Sequence, residues 1–551
     1  MKKLLALVLA LIMAISLVAC GGPSNSGVET PNPGASTPVE VTPPDPTVTY
    51  KDTVRISVLS ERVITGFYGS TNQPATYLGR MTMEGLYRFN YQTKEFEPVI
   101  AKEAVDVNGD GKTWKVTIRD DVSFHHNGEK YCDLKASDVA FTYDFIKTGG
   151  AGREAGAVTR TYDISKYIDS IEVTGDYELV FNLNAALFDF TAWADALILS
   201  EKAIEEFGPA DGQDVFTGPY YINEAKTTKG QFWTLTRYDD YWGGIENHPT
   251  KNIVFVIHTD ENTGAAALQA GEVDVLVSST PTIALQFQNN PAYTVYSTAG
   301  TNVCFLGFNS YDGTGFFDGE DTEEKVKLRQ AINYAIDRDE LVGIIYAANP
   351  SAGVRVDNMF ADTTYGYVDQ GKYEFSIEKG QQLMKELGYS ETNRLTLSLA
   401  HYADYGTYGQ VLQDQLKEIY IDVELNAIER SQFGTFLRTG EGWDMYINYY
   451  GTKTYMAGNV LNNYSSTGGS AKTHGWKSAA ADEKVDYFMG QSNIEDQVKA
   501  FAEFQEWAHD YLPMIPTHAG AVMIEAKANV EGLIVCPNVG LQDYSTLRIP
   551  E

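Results

Sequence analysis

Residues 395–428 fix the fold class. LTLSLA (395–400) alternates apolar and polar side chains like a strand, and DVELNAI (422–428) does so again. Between them Val411, Leu412, Leu416 and Ile419 fall on one helical face. Strand, helix and strand in about 30 residues make a βαβ unit, whose right-handed crossover returns the second strand parallel to the first. Other segments agree. TVRISVL (53–59) alternates, and TWKVTIR (113–119) puts Trp114, Val116 and Ile118 on one face. Asp321 can cap a helix, with Glu324 placed as in a capping box and an apolar stripe Leu328, Ala331, Ile332, Ala335, Ile336. Ser376 opens another helix, with Ile377, Leu383, Met384 and Leu387 on one face and Gly388 as its stop. Val498, Phe501, Phe504, Ala508 and Tyr511 mark a further helix that ends before Pro513. At 551 residues this α/β chain is too long for one ordinary core and has several domains. It shows no internal repeat.

The N-terminus reads as an export signal. MKK is a basic start, and LLALVLALIMAISLVA is too short and wrongly flanked for a stable spanning helix. It ends in Leu17-Val18-Ala19-Cys20 before two glycines, a pattern that resembles a bacterial lipobox. Cys20 is then the lipid-modified first residue after removal of 1–19. Residues 20–49 are rich in Pro, Gly, Ser and Thr and hold no aromatic, so they read as a flexible tether. No later stretch is apolar for long enough to span a bilayer, and the body is expected to be soluble. The net charge, 42 − 74 = −32, argues against nucleic acid, whose phosphates this surface would repel. Cys132, Cys304 and Cys536 share no metal-like spacing, and three cannot all pair within one chain. One disulfide is possible; three separate buried thiols is the preferred expectation.

A catalytic centre does not emerge. Ser376-Ile377-Glu378-Lys379 and Lys147-Thr148-Gly149 match two motifs of penicillin-binding enzymes, but in the wrong chain order and without the intervening Ser-Asp-Asn. Ser376 is better read as a helix cap. His125-His126 would point to opposite faces of a strand. Asp106-Val107-Asn108-Gly109-Asp110-Gly111 starts like a calcium loop, but its twelfth position is Thr117, so a hairpin turn is expected. There is no GxSxG elbow, no HExxH and no P-loop. No catalysis, metal or cofactor is expected.

Longer stretches carry a specific resemblance. EPVIAKEAVDVNGDGKTWKVTIRDDVSFHHNGEKYCDLKASDVAFTYDF (97–145) resembles the signature segment of bacterial extracellular solute-binding proteins of family 5. Phe216-Thr217-Gly218-Pro219-Tyr220 is similar to the family's Gly-Thr-Gly-Pro-Tyr turn, departing at Phe216. RYDDYWGGIENHPTKNIVFVIHTDENTGAAALQAGEVDV (237–275) and VKLRQAINYAIDRDELV (326–342) resemble its later landmarks. The resemblance implies a two-lobed periplasmic-binding-protein-like fold of type II, cluster C, with an inserted domain near the N-terminus. Mapped here, lobe one is 50–83, 197–300 and 516–551, the inserted domain is 84–196, and lobe two is 301–515. It implies a monomeric substrate-binding subunit that works with the permease and ATPase subunits of an ABC importer. An oligopeptide is the default solute. An oligosaccharide, a cell-surface hydrolase and a receptor that only signals are the alternatives.

The resemblance also implies cleft residues. Residues 447–456, INYYGTKTYM, follow a stretch like the family's before a ligand-holding aromatic and aspartate. Tyr450 falls on the aromatic and Lys453 on the aspartate that holds a peptide's ammonium. A lysine would repel that ammonium. Either the amine is paired elsewhere, or the ligand is neutral or anionic, such as an oligosaccharide stacking on Tyr449, Tyr450 and Phe433; alternatively Lys453 reaches solvent. Gly451 belongs to the same stretch. Asn72, Gln73 and Tyr77 are placed along the ligand, and Cys304, Phe305 and Asn309 on the strand entering lobe two. Trp193 and Trp443 are read as packing.

Overall fold

The structure, a computed structural model, describes residues 43–61, 67–68, 73–90, 93, 95–148, 163–187, 189–277, 280–313, 315–362, 364, 366–451, 461, 463–468, 474–537 and 542–551. Cys20, Asn72 and Lys453 lie outside the described residues, as does the whole span 1–42.

The chain begins its body by pairing with its own end. Lys51 N–H donates to Ile549 O at 2.9 Å, Glu551 N–H donates to Thr49 O at 3.0 Å, and Tyr50 bridges Pro550. Strand β1 (Thr53–Val58) follows. Three small antiparallel sheets come next: β2 (Tyr87–Asn90) with β3 (Glu95–Pro98); β4 (Ala101–Asp106) and β5 (Thr113–Ile118) with β8 (Ile168–Gly175) and β9 (Glu178–Leu183); and β6 (Ser123–His126) with β7 (Glu129–Asp133). The Asp106–Gly111 stretch is the β4–β5 hairpin turn: the Asp106 carboxylate accepts from Gly109 N–H at 3.0 Å and Gly111 N–H at 2.6 Å. His125 and His126 part as expected. His125 is buried, stacks on Tyr238 at 4.1 Å and meets Gly218 O at 2.8 Å through Nε2, while His126 stacks on Phe207 at 5.2 Å.

The main sheet spans both lobes. β10 (Tyr220–Ile222), β11 (Phe232–Arg237), β12 (Asn252–Ile257), β1 and β13 (Val275–Val277) form one half. The long strand β14 (Tyr293–Phe308) crosses to the other half and receives β19 (Ile515–Lys527) antiparallel along its length. A short strand β15 (Gly353–Arg355) pairs with β19. The far half is β14 beside β18 (Met445–Gly451), then β16 (Leu395–Tyr402) and β17 (Ile421–Ile428). The βαβ unit is present: β16 and β17 are parallel in continuous register from Leu395↔Ile421 to Tyr402↔Ile428, joined through the helix Gly406–Lys417. Val411, Leu412 and Leu416 are buried on that helix.

Burial follows the two halves. One core runs from Val54 to Val277 and takes in the chain end, Ile524 to Ile549, so the small sheets share it with the first half of the main sheet. The far half has two cores, one on each face of the sheet. Because successive strand residues alternate faces, Cys304 and Leu306 go to one and Val303 and Phe305 to the other.

Helix starts follow the caps. Ser376 Oγ accepts from Lys379 N–H at 3.2 Å, as expected. The helix Glu323–Ala335 differs: its cap is Thr322. Asp321, expected to cap it, instead accepts from Arg329 Nη1 at 2.7 Å and Nη2 at 2.8 Å, with the side chains 5% and 1% exposed. A buried guanidinium needs a carboxylate more than a helix end needs a second cap, and the neighbouring threonine serves the helix. Cys132, Cys304 and Cys536 are unbridged; Cys304 and Cys536 are buried and Cys132 half-buried.

Candidate functional site

In an open α/β sheet, ligands collect beyond the carboxyl ends of the strands. Here two sets of such ends face each other. β13 runs toward the crossover, since Val275 pairs with Ala526 and Val277 with Ile524. From the other side β18 runs toward it, with Met445 opposite Phe308 and Gly451 opposite Asn302. β16 and β17 are parallel to β18, so Tyr402, Ile428 and Gly451 end at one edge.

The crossing itself is irregular. The β14–β19 register shifts between Ala299 and Val303. Gly300 and Gly520 let the two strands pass closely there: a Cβ on Gly300 would lie 2.5 Å from Gly520 O. The bulge is also tied to the chain end, because Thr301 N–H donates to Pro537 O at 3.2 Å. Beside it opens a cavity of about 320 Å³. Its wall combines Ala299, Gly300 and Pro537 with Val303, Phe360 and Tyr367. Asp357, Asp362 and Asp369 also line it. Burial and then these three carboxylates, Asp369 first, push the Tyr367 phenol up to about 12. Asp357 is not a spare anion, because Arg355 holds it through Nε at 2.8 Å and Nη2 at 2.7 Å.

Several residues expected in the cleft meet at this edge. Phe305 stacks on Tyr450 with centroids 4.8 Å apart, in the same core as Val303 and Phe360. Phe433 is buried against Tyr402 at 4.1 Å. Cys304 and Tyr449 are register partners and face the other core. Burial pushes the Cys304 thiol up to about 11. Gly451 closes β18 and is exposed.

Others are placed differently. Asn309 is fully buried and holds a loop: its Nδ2 donates to Gly440 O at 2.8 Å and Trp443 O at 2.7 Å, and its Oδ1 accepts from Tyr311 N–H. Tyr77 is 1% exposed, edge-on to Tyr544 at 5.5 Å. Gln73 opens the helix Gln73–Thr82. Trp193 and Trp443 are buried in cores, as read from sequence.

Three residues at the edge escaped the sequence reading. Tyr402 ends β16, and its hydroxyl donates to Asn448 Oδ1 at 3.0 Å. Tyr405 packs edge-on to it at 5.3 Å. The Arg430 guanidinium lies 4.2 Å from the Tyr402 ring centre and 5.5 Å from that of Tyr405. Arg430 comes two residues after β17 and opens the helix Arg430–Leu437. The signal was available: each of the three sits at or within three residues of the end of a strand of the βαβ unit, where ligands collect. Chemically, the edge offers aromatic faces and one fixed cation that can bind an anionic or hydrogen-bonding group.

Comparison with known proteins agrees with this architecture. Residues 95–472 match the family model for bacterial extracellular solute-binding proteins, family 5 middle. The chain is 23% identical over 489 residues to the heme-binding protein A of Haemophilus influenzae, covering 82% of this chain and 84% of that one. It is 27% identical over 459 residues to the oligopeptide-binding protein AppA of Bacillus subtilis, covering 78% and 76%. The solved structure of HbpA2 from Haemophilus parasuis superposes with a TM-score of 0.77 at 19% identity, over 91% of this chain and 100% of that one. The two-lobed fold with its insertion, expected from the resemblance, is borne out.

Proposed function

Because the chain belongs to the bacterial extracellular solute-binding proteins of family 5, we propose that it captures an oligopeptide between its lobes and hands it to the permease of an ABC importer. The family consists of solute-binding proteins, and the importer role comes with membership. The peptide, the lipid anchor on Cys20 and the lack of catalysis are the finer claims. One observation carries the reading: strand ends from both halves converge on a crossing, and beside it a cavity of about 320 Å³ is lined by Ala299, Gly300 and Pro537 from one half and by Val303, Phe360 and Tyr367 from the other, with Tyr402, Tyr405, Arg430 and Tyr450 at the strand ends outside its lining. That volume is within the usual range for small-ligand sites, ~300–1,000 Å³. Closing such halves takes the ligand out of water, so its polar groups need partners. Arg430 suits a peptide carboxylate, and Tyr402, Tyr405 and Tyr450 suit its side chains. The boundaries proposed above, 50–83 with 197–300 and 516–551, 84–196, and 301–515, put the hinge at the bulge of β14. Oligopeptide binding in AppA supports the substrate class.

The direct test is a thermal-shift and calorimetric screen of peptides and oligosaccharides. A true ligand raises the unfolding temperature, since binding adds RT ln(1 + [L]/Kd) to the stability of the bound form. Stabilisation by oligosaccharides alone would replace the peptide reading. That second reading is favoured by the aromatic edge and by Lys453, which the resemblance sets where an aspartate would hold a peptide's ammonium. Lys453→Asp decides the lysine's part: weaker native-ligand binding puts it in the cleft, and unchanged binding puts it in solvent. Turnover of a bound ligand by pure protein would instead establish a hydrolase. For the anchor, Cys20→Ala should release the protein from membranes; continued membrane retention would remove that claim.

A further inference from the structure

A second cavity, of about 360 Å³, lies away from the crossing. It opens between the β2–β3 hairpin, the loop before β12 and the chain end. None of its lining residues belongs to the first cavity. Tyr87, Phe89 and Phe96 give it an aromatic wall, with Phe89 and Phe96 tilted together at 5.2 Å. Its polar wall has groups of opposite character. The Arg88 guanidinium makes no hydrogen bond or ion pair among the described residues. The nearby Glu84 does not fully offset it, because burial pushes that carboxyl toward its neutral form and Tyr241 holds it through a hydrogen bond. Asp543 uses Oδ1 to accept from Ser545 N–H at 2.8 Å within its own turn. His248 contacts Ser545 O at 3.0 Å through Nδ1. A carbonyl only accepts, so Nδ1 carries the hydrogen and neutral His248 presents Nε2 as an acceptor.

Of the other charges of this wall, Arg548 is 2% exposed and pairs with Glu531 at 3.0 Å, and Arg80 and Asp195 have partners of their own. Glu97, opposite Arg88 across the β2–β3 pair, gives Oε1 to the neutral Asn90 Nδ2 at 2.7 Å. The wall thus combines one cation without an ion pair among the described residues, two carboxylates, Asp543 and Glu97, that each accept one neutral N–H, one neutral acceptor and an aromatic side. We propose that this cavity is a second small-molecule site, taking a zwitterion with a planar or apolar body, the chemistry of a free amino acid. Arg88 receives its carboxylate, Asp543 and His248 its ammonium, and Phe89 and Phe96 its apolar part. The site is linked to the first: Ile534 and Cys536 line this cavity, and the next residue, Pro537, lines the other. The proposal does not depend on which solute fills the cleft.

L-Phenylalanine is the probe, titrated into the mature chain and followed by ligand-observed NMR and calorimetry. Phenylacetate and phenethylamine, which each lack one charge, are the comparators. Wild type should bind phenylalanine better than either. Arg88→Gln and Asp543→Asn should each weaken it about tenfold or more, the value of a charge-assisted hydrogen bond, while Arg88→Lys retains part of the affinity. Arg430→Gln, at the cleft edge, should leave it unchanged. Absence of binding at millimolar probe overturns the proposal. So does binding that survives both Arg88→Gln and Asp543→Asn, or that is lost only in Arg430→Gln, which would put the amino acid in the cleft. Peptide binding measured on the same variants keeps a failure here distinct from a failure of the cleft reading.

Discussion

The segment 84–196 and the far half treat buried carboxyl groups in opposite ways. In the segment 84–196, burial pushes Asp138 and Asp189 up to about 6, and Glu84 is pushed up as well. These groups sit among N–H and O–H donors; Asp138 accepts from the backbone of Lys135 at 2.8 Å and Glu201 at 3.0 Å. In the far half, Asp321 and Asp357 instead face arginines, Arg329 and Arg355; on the main sheet of the first half Asp274 is likewise paired, with Lys527 at 2.7 Å. The segment 84–196 lowers the cost of burial by moving toward neutrality, and the far half by pairing. The difference teaches where each is vulnerable: the first to pH, the second to loss of one partner. The same far half places a further arginine, Arg430, among rings at the cleft edge.

The largest effect tests the pairing. Asp321→Ala leaves the buried Arg329 charge without its carboxylate and should cost about 3–5 kcal/mol, seen as a lower unfolding transition by calorimetry. A change near zero would break the comparison. Next comes pH. An acid whose folded value lies above its unfolded one contributes stability at low pH that is lost as pH rises, here from about 4 to about 6 for Asp138. His125 works in the opposite sense, because burial lowers it to about 4, so its contribution is lost as pH falls through that range from its ordinary value. The difference between wild type and Asp138→Asn isolates the acid. It should change by about 1–3 kcal/mol across that window, and a flat difference would mean that Asp138 is not held toward neutrality. Smaller again, Arg430→Gln should weaken native-ligand binding about tenfold with the fold intact; equal affinity would take Arg430 out of recognition. Smallest, Tyr450→Leu removes the stack on Phe305, worth about 0.5–1.5 kcal/mol, and should weaken the ligand a few-fold. An effect on stability without one on binding would make the pair purely structural.

Local patterns were legible where a short segment contains its own cause. The βαβ unit carries its periodicities in 34 residues, and Ser376 and the Asp106 turn are decided by atoms at most five residues away. Asp321 was misplaced because its partner, Arg329, is chosen by burial, which periodicity does not report. The same holds for Asn309, whose amide is taken by carbonyls 131 and 134 residues away. The two-lobed arrangement came from resemblance, since it depends on β14 pairing with β19 over a distant stretch of chain. Arg430 is not legible from its own segment, because its place over Tyr402 and Tyr405 is set by the parallel alignment of β16 and β17.

The pairing of residues 49–51 with 549–551 has a mechanical outcome. Residues 49–51 and 549–551 sit on the same half, so under the anchor proposed for Cys20 a pull would be borne there and the opposite half would carry no such load. A fluorophore on that opposite half, read against one near Tyr50, would test the closure proposed for the two halves without touching the loaded end.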